Sequence, residues 1–311
     1  MSSLQVLDDI RLNFSQGSLT IMNVILAFVM FGIALQMNVS DFKNVIKNPK
    51  SFITGVVSQV VLLPFVTFLL CMALGSFLSP SVAMGMILVA ACPGGNISNF
   101  ITSLGKGNVP LSISMSAFST ITCVLITPFN FSFWGNLYSN ASNLVKPIEI
   151  NFWEMAYIVL VLLGIPIVAG ILFARYFPKA TQKLIKPMSI LSIIAFIGFI
   201  VAALAANLGY FMKYIHLIGF IVILHNAMAL LSGNFMSRLA RLPKKDMRSV
   251  TIETGIQNSG LGLVLIFSPR LFDGLGGMAF IAAWWGIWHI ISGMGIAYFW
   301  QWKDKRSKQP N

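Results

Sequence analysis

The 311-residue chain is 57% hydrophobic and only 10% charged, with a mean hydropathy of +0.82. Soluble domains carry about 25% charged residues, so this composition excludes a soluble globular domain and a disordered chain. The 21 basic and 9 acidic residues give a net charge of +12. In a membrane protein this excess indicates basic cytoplasmic loops rather than a nucleic-acid-binding surface. We therefore expect one polytopic domain, residues 1–311, in a lipid bilayer.

Nine apolar stretches are long enough to cross that bilayer, which takes about 20 residues of helix. Their continuous apolar runs favour helices over membrane β-strands, whose sequences alternate between polar and apolar residues. The sequence thus predicts an all-α polytopic membrane protein with nine transmembrane helices. The predicted spans are 18–38, 51–75, 81–105, 109–131, 152–175, 187–208, 214–238, 246–268 and 277–302.

The loops between these spans differ in charge. Seventeen of the 21 Lys and Arg residues lie in alternate loops and the C-terminal tail. The four on the opposite side are Arg11, Lys146, Lys213 and Arg270. Because cytoplasmic loops are enriched in Lys and Arg, this bias predicts an outside N-terminus and a cytoplasmic C-terminus. The short tails and loops favour a bacterial inner membrane.

Two spans contain sequences that form continuous helices poorly, namely residues 93–99 (PGGNISN) and residues 253–260 (ETGIQNSG). The first motif is in the third span of the set 1–4, and the second is in the third span of the set 6–9. The two sets are thus five spans apart, an odd number, so they cross the membrane in opposite directions. This offset predicts an inverted repeat with halves of about 18–131 and 187–302, linked by the span 152–175. Interrupted spans at matching places in two halves indicate the binding site of a transporter.

Glu253 is the only acidic residue in the interior of a predicted span. An ionised carboxylate there costs several kcal/mol unless it is paired, and no Lys or Arg is placed to pair with it. It can be protonated and structural, relay protons, or bind a metal cation. The neighbouring hydroxyls, amides and freed carbonyls are hard oxygen ligands, which favour the third role. One carboxylate among neutral oxygens suits sodium better than Ca²⁺.

Other polar residues lie inside the apolar spans. Ser112 and Ser116 are four residues apart on one helix face, where they either meet the third span or ease close packing. Gln59 either completes a site or makes one interhelical hydrogen bond. His289 is either a substrate contact or a core histidine, whereas for His225 we favour a structural role.

The sequence lacks the common motifs of nucleophilic, zinc-dependent and ATP-dependent enzymes, so we expect no enzymatic activity. Two alternatives to a sodium-coupled transporter remain open. One is a proton-coupled organic anion transporter in which Glu253 titrates. The other, less favoured, is an intramembrane enzyme that uses Glu253 with a histidine as acid and base.

Residues 92–99, 106–108, 111–112 and 253–260 together resemble the bile acid:sodium symporter family, which includes animal bile acid carriers and bacterial relatives. The resemblance covers nearly the whole chain. It implies a panel domain and a core domain, with the third and eighth spans broken and crossing in the core. It also implies sodium-coupled import of an amphipathic organic anion, like a bile acid or steroid conjugate, by alternating access.

The same resemblance implies two bound sodium ions and a substrate cavity, and no obligate protein partner. The first sodium site would comprise Ser98, Asn99, Ser112, Ser116 and Glu253. The second would comprise Gln59, Glu253, Gln257 and the backbone carbonyls of Thr254 and Ile256. The substrate cavity would lie beside Asn96, Asn99, Asn258 and His289.

Overall fold

The structure is a computed structural model that describes residues 4–12, 16–35, 49–95, 97–142, 151–206 and 208–307. These residues are helical nearly throughout. Within them, β-structure consists of two isolated bridges, Arg11 with Leu275 and Gly94 with Gln257. The described part of the chain therefore agrees with the predicted all-α class.

Eleven helices of eight or more residues are formed by the described residues, in addition to short 3₁₀ turns at Gln5–Asp8 and Gly75–Phe77. The helices are α1 (Gln16–Ala34), α2 (Pro49–Leu74), α3 (Pro80–Ala91), α4 (Ile97–Leu104), α5 (Val109–Ala141), α6 (Phe152–Tyr176), α7 (Pro178–Ala206), α8 (Leu208–Leu239), α9 (Lys244–Gly255), α10 (Ser259–Phe267) and α11 (Gly276–Arg306).

Five of the described helices are long and apolar enough to cross a membrane. They are α2, α5, α6, the Met212–Leu239 part of α8, and α11. Two shorter apolar helices are Asn23–Ala34, within α1, and α3. These helices support an integral, multi-pass membrane protein, while the total of nine spans stays a prediction.

Two helices extend well beyond the predicted spans. Helix α5 continues to Ala141 although its predicted span ends at residue 131, and α7 begins at Pro178 although its span begins at residue 187. Hydropathy reports where an apolar run ends, whereas a helix continues for as long as its backbone hydrogen bonds persist. The end of the first predicted span, residues 36–38, lies outside the described residues.

A π-helical turn, Ser58–Leu62, interrupts α2 two residues before Pro64. Proline has no backbone N–H, so Pro64 cannot donate to the carbonyl of Val60 as a regular helix requires. Asn130 of α5 supplies the missing donor, because its Nδ2 lies 2.9 Å from the Val60 oxygen. The widened turn contains Gln59, which is buried against α9.

The predicted third and eighth spans are both interrupted, between α3 and α4 and between α9 and α10. The two interruptions pair with each other. The Gly95 N–H donates to the Ile256 carbonyl at 2.9 Å, and the Asn258 N–H donates to the Pro93 carbonyl at 2.8 Å. Backbone groups freed in a membrane interior need such partners, so each break stabilises the other.

Glycines allow α3 and α11 to approach closely. A Cβ built on Gly85 would lie 2.7 Å from the Met278 Cα, and one on Gly277 would lie 2.8 Å from the Val82 backbone nitrogen. Both distances are shorter than a carbon atom tolerates. The contact therefore fixes α3, and with it the break that follows, against the last helix.

We predict that Gly277→Val destabilises the protein by about 1–3 kcal/mol, because the new side chain must displace α3 backbone. Thermal unfolding of the purified protein in detergent checks this. Gly295→Val in the same helix is the matched control, since a Cβ built on Gly295 meets no atom within 4 Å. Equal melting temperatures for the two variants would contradict the close approach.

Candidate functional site

The Glu253 carboxylate is fully buried in the last turn of α9 and accepts three hydroxyl hydrogen bonds. Ser98 donates to Oε2 at 2.6 Å and Ser112 donates to Oε2 at 2.9 Å. Ser116 donates to Oε1 at 2.6 Å. Ser98 is in the first turn of α4, and the other two serines lie one turn apart on α5. Three helices thus converge on one carboxylate.

No basic side chain of the described residues pairs with this carboxylate. The ion pairs found there join Asp304 to Lys244 and to Arg248, at the cytoplasmic end predicted for α11. Removing an ionised carboxylate from water costs several kcal/mol, and hydrogen bonds from neutral hydroxyls leave its charge in place. The site therefore has the electrostatic character of a cation-binding site.

Asn99 extends the group of oxygens. Its Oδ1 lies 2.8 Å from the Ser112 hydroxyl and 3.4 Å from the Ser116 hydroxyl. Each serine has one proton, so it cannot donate to Asn99 and Glu253 at once. We call Glu253, Ser98, Asn99, Ser112 and Ser116 the carboxylate cluster. It contains more acceptor oxygens than protons to share among them, which suits a cation.

Sequence reasoning missed Thr102, whose hydroxyl donates to the Ser112 hydroxyl at 3.3 Å. Thr102 is fully buried on α4, four residues after Ser98 and hence on the same helix face. That spacing is visible in the sequence and could have identified it. Its bond supplies Ser112 with a donor and so helps to orient that hydroxyl.

The residues of the second predicted sodium site also lie together. The Gln59 Nε2 is 3.4 Å from the Glu253 backbone oxygen, and the Gln257 Nε2 donates to the Thr254 carbonyl at 2.9 Å. The Ile256 carbonyl accepts from the facing break. The Gln257 Oε1 is buried and has no hydrogen-bond partner. A buried amide oxygen without a hydrogen-bond partner has the chemistry of a cation ligand.

Gly94 allows the two breaks to close around these groups. A Cβ at this position would overlap the Glu253 Oε1 and approach the Gln59 Nε2 within 2.9 Å. Its backbone N–H donates to the Ser119 hydroxyl at 3.2 Å. Any larger residue would therefore displace the carboxylate.

The predicted substrate residues are less closely associated. Asn258 is half-buried and caps α10, since its Oδ1 accepts from the Leu261 N–H at 3.1 Å. His289 is buried, and its Nδ1 has no hydrogen-bond partner. Asn99 belongs to the carboxylate cluster, and Asn96 lies outside the described residues. A substrate cavity beside these residues stays a prediction.

His225 and its neighbour have structural partners. The His225 Nε2 lies 2.8 Å from the Thr67 hydroxyl, and its ring packs against Trp285. The Asn226 Nδ2 donates to the Gly255 carbonyl at 2.8 Å, and its Oδ1 accepts from the Ser292 hydroxyl. Asn226 thereby satisfies a carbonyl that the break in α9 leaves free, a role that the sequence did not predict.

We predict that Asn226→Ala lowers stability by about 1–3 kcal/mol, because it leaves the buried Gly255 carbonyl without a donor. Asn234→Ala is the matched control on the same helix, since Asn234 bonds to exposed Arg238. Thermal unfolding in detergent distinguishes the two variants. A melting temperature for Asn226→Ala as high as that of the control would show that the bond is dispensable.

Comparisons with known proteins agree on one family. The sequence profile described as the Sodium Bile acid symporter family matches residues 23–214. The chain is 30% identical over 288 residues to "Uncharacterized sodium-dependent transporter YocS" of Bacillus subtilis, a match that covers 92% of the chain and 84% of that protein.

Similar proteins are also found in a plant and a mammal. The chain is 32% identical over 247 residues to "Probable sodium/metabolite cotransporter BASS2, chloroplastic" of Oryza sativa, covering 77% of the chain and 55% of that protein. It is 30% identical over 262 residues to the "P3 protein" of Bos taurus, covering 82% and 52% respectively. The chain thus spans most of the Bacillus protein but about half the length of the plant and bovine proteins.

Proposed function

The chain belongs to the sodium bile acid symporter family, and from that premise we propose that it is a sodium-coupled symporter that imports an amphipathic organic anion. The observation that carries this proposal is the buried Glu253 carboxylate, surrounded by neutral oxygens and without a basic partner among the described residues. The names of relatives from Bacillus and rice, which refer to sodium, support the choice of ion.

The geometry favours a metal cation over a proton at this site. A proton on Glu253 would remove the charge and free the Ser112 hydroxyl to donate to the Asn99 Oδ1, but the buried Gln257 Oε1 would still have no partner. Two cations, one within the carboxylate cluster and one beside Gln257, account for both the unpaired charge and the orphaned oxygen.

We place one sodium ion within the carboxylate cluster and a second near Gln59, Gln257 and the carbonyls of Thr254 and Ile256. The Glu253 carboxylate contributes to both positions. With two sodium ions and one monovalent anion, one net positive charge enters per cycle. A membrane potential of 100 mV then contributes about 2.3 kcal/mol.

Sodium binding is coupled to substrate binding through the two breaks. The proposed ligands come from α2, α4, α5, α9 and the break that follows α9, so bound sodium fixes both interrupted segments. The N-termini of α4 and α10 at the breaks provide positive partial charge for an anion, beside Asn96, Asn99, Asn258 and His289. Linkage requires that substrate tightens sodium binding by the same factor.

The helix contacts support a panel and a core within one domain of nine spans. Helix α1 packs mainly on α6 and α7, which we assign to the panel, whereas α9 packs on α2, α4, α5 and α8, which we assign to the core. The inverted-repeat halves, about 18–131 and 187–302, are linked by the span 152–175. We place the N-terminus outside and the C-terminus in the cytoplasm of a bacterial inner membrane.

We predict that Glu253→Gln abolishes sodium binding while the protein still folds, since the amide keeps the shape but removes the charge. The measurement is binding of labelled sodium to purified protein, with potassium as the competing ion. Ser237→Ala is the control, because Ser237 is buried but bonds to its own helix at the Gly233 carbonyl. Sodium binding by the glutamine variant equal to that of the control would contradict the assigned site.

We predict that Ser116→Ala weakens sodium binding about tenfold without eliminating it, because it removes one of several neutral ligands, worth about 1.4 kcal/mol. The same binding measurement over a range of sodium concentrations reports the change. An unaltered affinity would exclude Ser116 from the site.

The transport function is tested by thermal stability against a library of organic anions, in sodium and in potassium. We expect at least one amphipathic anion to stabilise the protein only in sodium. In proteoliposomes that anion should accumulate under an inward sodium gradient. Accumulation driven by a pH gradient alone would instead establish proton coupling, and release of a chemically altered anion would indicate an enzyme.

A further inference from the structure

A small cavity adjoins the proposed sodium sites but lies outside them. It is lined by α2, the end of α3 with the two residues that follow it, and α5, and its polar lining includes Gln59, Ser119, Thr127 and Asn130. It has room for about one water molecule. A single dehydrated monovalent cation needs similar space. The lining contains no residue of α9 or α10 and shares only Gln59 with the proposed sodium ligands.

The lining of this cavity includes a threonine whose hydroxyl has no partner. Thr127 is 1% exposed, and its Oγ1 has no hydrogen-bond partner. Threonine in a helix usually donates back to its own backbone, as Thr122 does to the Phe118 carbonyl at 2.8 Å. A buried hydroxyl without such a bond indicates that a water molecule or an ion is its partner for part of the time.

Both walls of the cavity are irregular helix. The π-turn of α2 lies on one side, and its Val60 carbonyl accepts a hydrogen bond from Asn130, which also lines the cavity. On the other side, Pro128 lies inside α5, directly after Thr127, and removes one helical hydrogen bond. Irregular backbone in a membrane interior is tolerated where it lines a polar space.

The cavity extends along α5, away from the carboxylate cluster. Along α5 its lining begins with Ser119, one turn beyond Ser116 of the carboxylate cluster, and continues to Asn130. In the orientation proposed above, this end of α5 leads to the outer face. The lining carries oxygen ligands but no charged residue, so it can solvate a cation without holding it strongly.

We propose that this cavity is a transit site for sodium, in which the ion exchanges its remaining water for the Thr127 hydroxyl and the Gln59 amide before it reaches Glu253. This inference rests on the proposed sodium coupling. A transit site lowers a barrier and leaves the final bound state unchanged. Its loss must therefore slow association and release of sodium by the same factor, with the dissociation constant unaltered.

The test is Thr127→Val, which removes the hydroxyl and keeps the size of the side chain. We expect association and release of labelled sodium by the purified full-length protein to slow about tenfold, with equilibrium affinity within about twofold of the unmodified protein. Thr127→Ser, which keeps the hydroxyl, should restore both rates. Thr120→Val is the matched control, because Thr120 is buried on the same helix but does not line the cavity.

Each other outcome has a defined meaning. Unchanged rates in Thr127→Val would show that the cavity holds water only and would overturn the proposal. A weaker affinity with an unchanged association rate would make Thr127 a ligand of the final site, which also overturns it. If the unmodified protein binds no sodium, the proposed function itself fails, and this result is distinct because it does not depend on Thr127.

Discussion

A single buried carboxylate determines how the centre of this molecule is organised. Glu253 receives one hydroxyl from α4 and two from α5, while its own helix ends two residues later. Because an uncompensated charge in a membrane interior is so unfavourable, these helices must meet where the neutral oxygens can surround it. The paired breaks obey a related constraint. The backbone groups that each break frees in the membrane interior also need partners, and they find them in the other break.

Helix α9 is bonded to neighbouring helices at both ends, so it cannot move independently of them when an ion binds. Near its start, Asp246 accepts from the Ser51 hydroxyl at 2.6 Å, and Arg248 pairs with Asp304 at 2.9 Å. At its end, Asn226 bonds to the last carbonyl. We therefore expect an ion bound at Glu253 to shift the packed helices together rather than to rearrange α9 alone.

Much of the candidate site was predictable from the sequence because its chemistry is local. The interrupted motifs, the four-residue spacing of Ser112 and Ser116, and the isolated Glu253 could each be read from the chain. Partners across helices could not, because they depend on how the helices pack. Asn226 is an example, since its amide is consistent with any polar role until Gly255 is seen beside it.

Helix boundaries were likewise predictable only in part. Hydropathy placed most ends within a few residues, yet it could not show that α5 and α7 continue past their apolar runs. The π-turn in α2 was also missed, although Pro64 inside an apolar span is a signal for it.

The most direct measurement of the central claim is the anomalous scattering of crystals in which thallium(I) replaces sodium. The account predicts a peak among Glu253, Ser98, Ser112 and Ser116. The absence of a peak there, with thallium bound elsewhere in the protein, would contradict it.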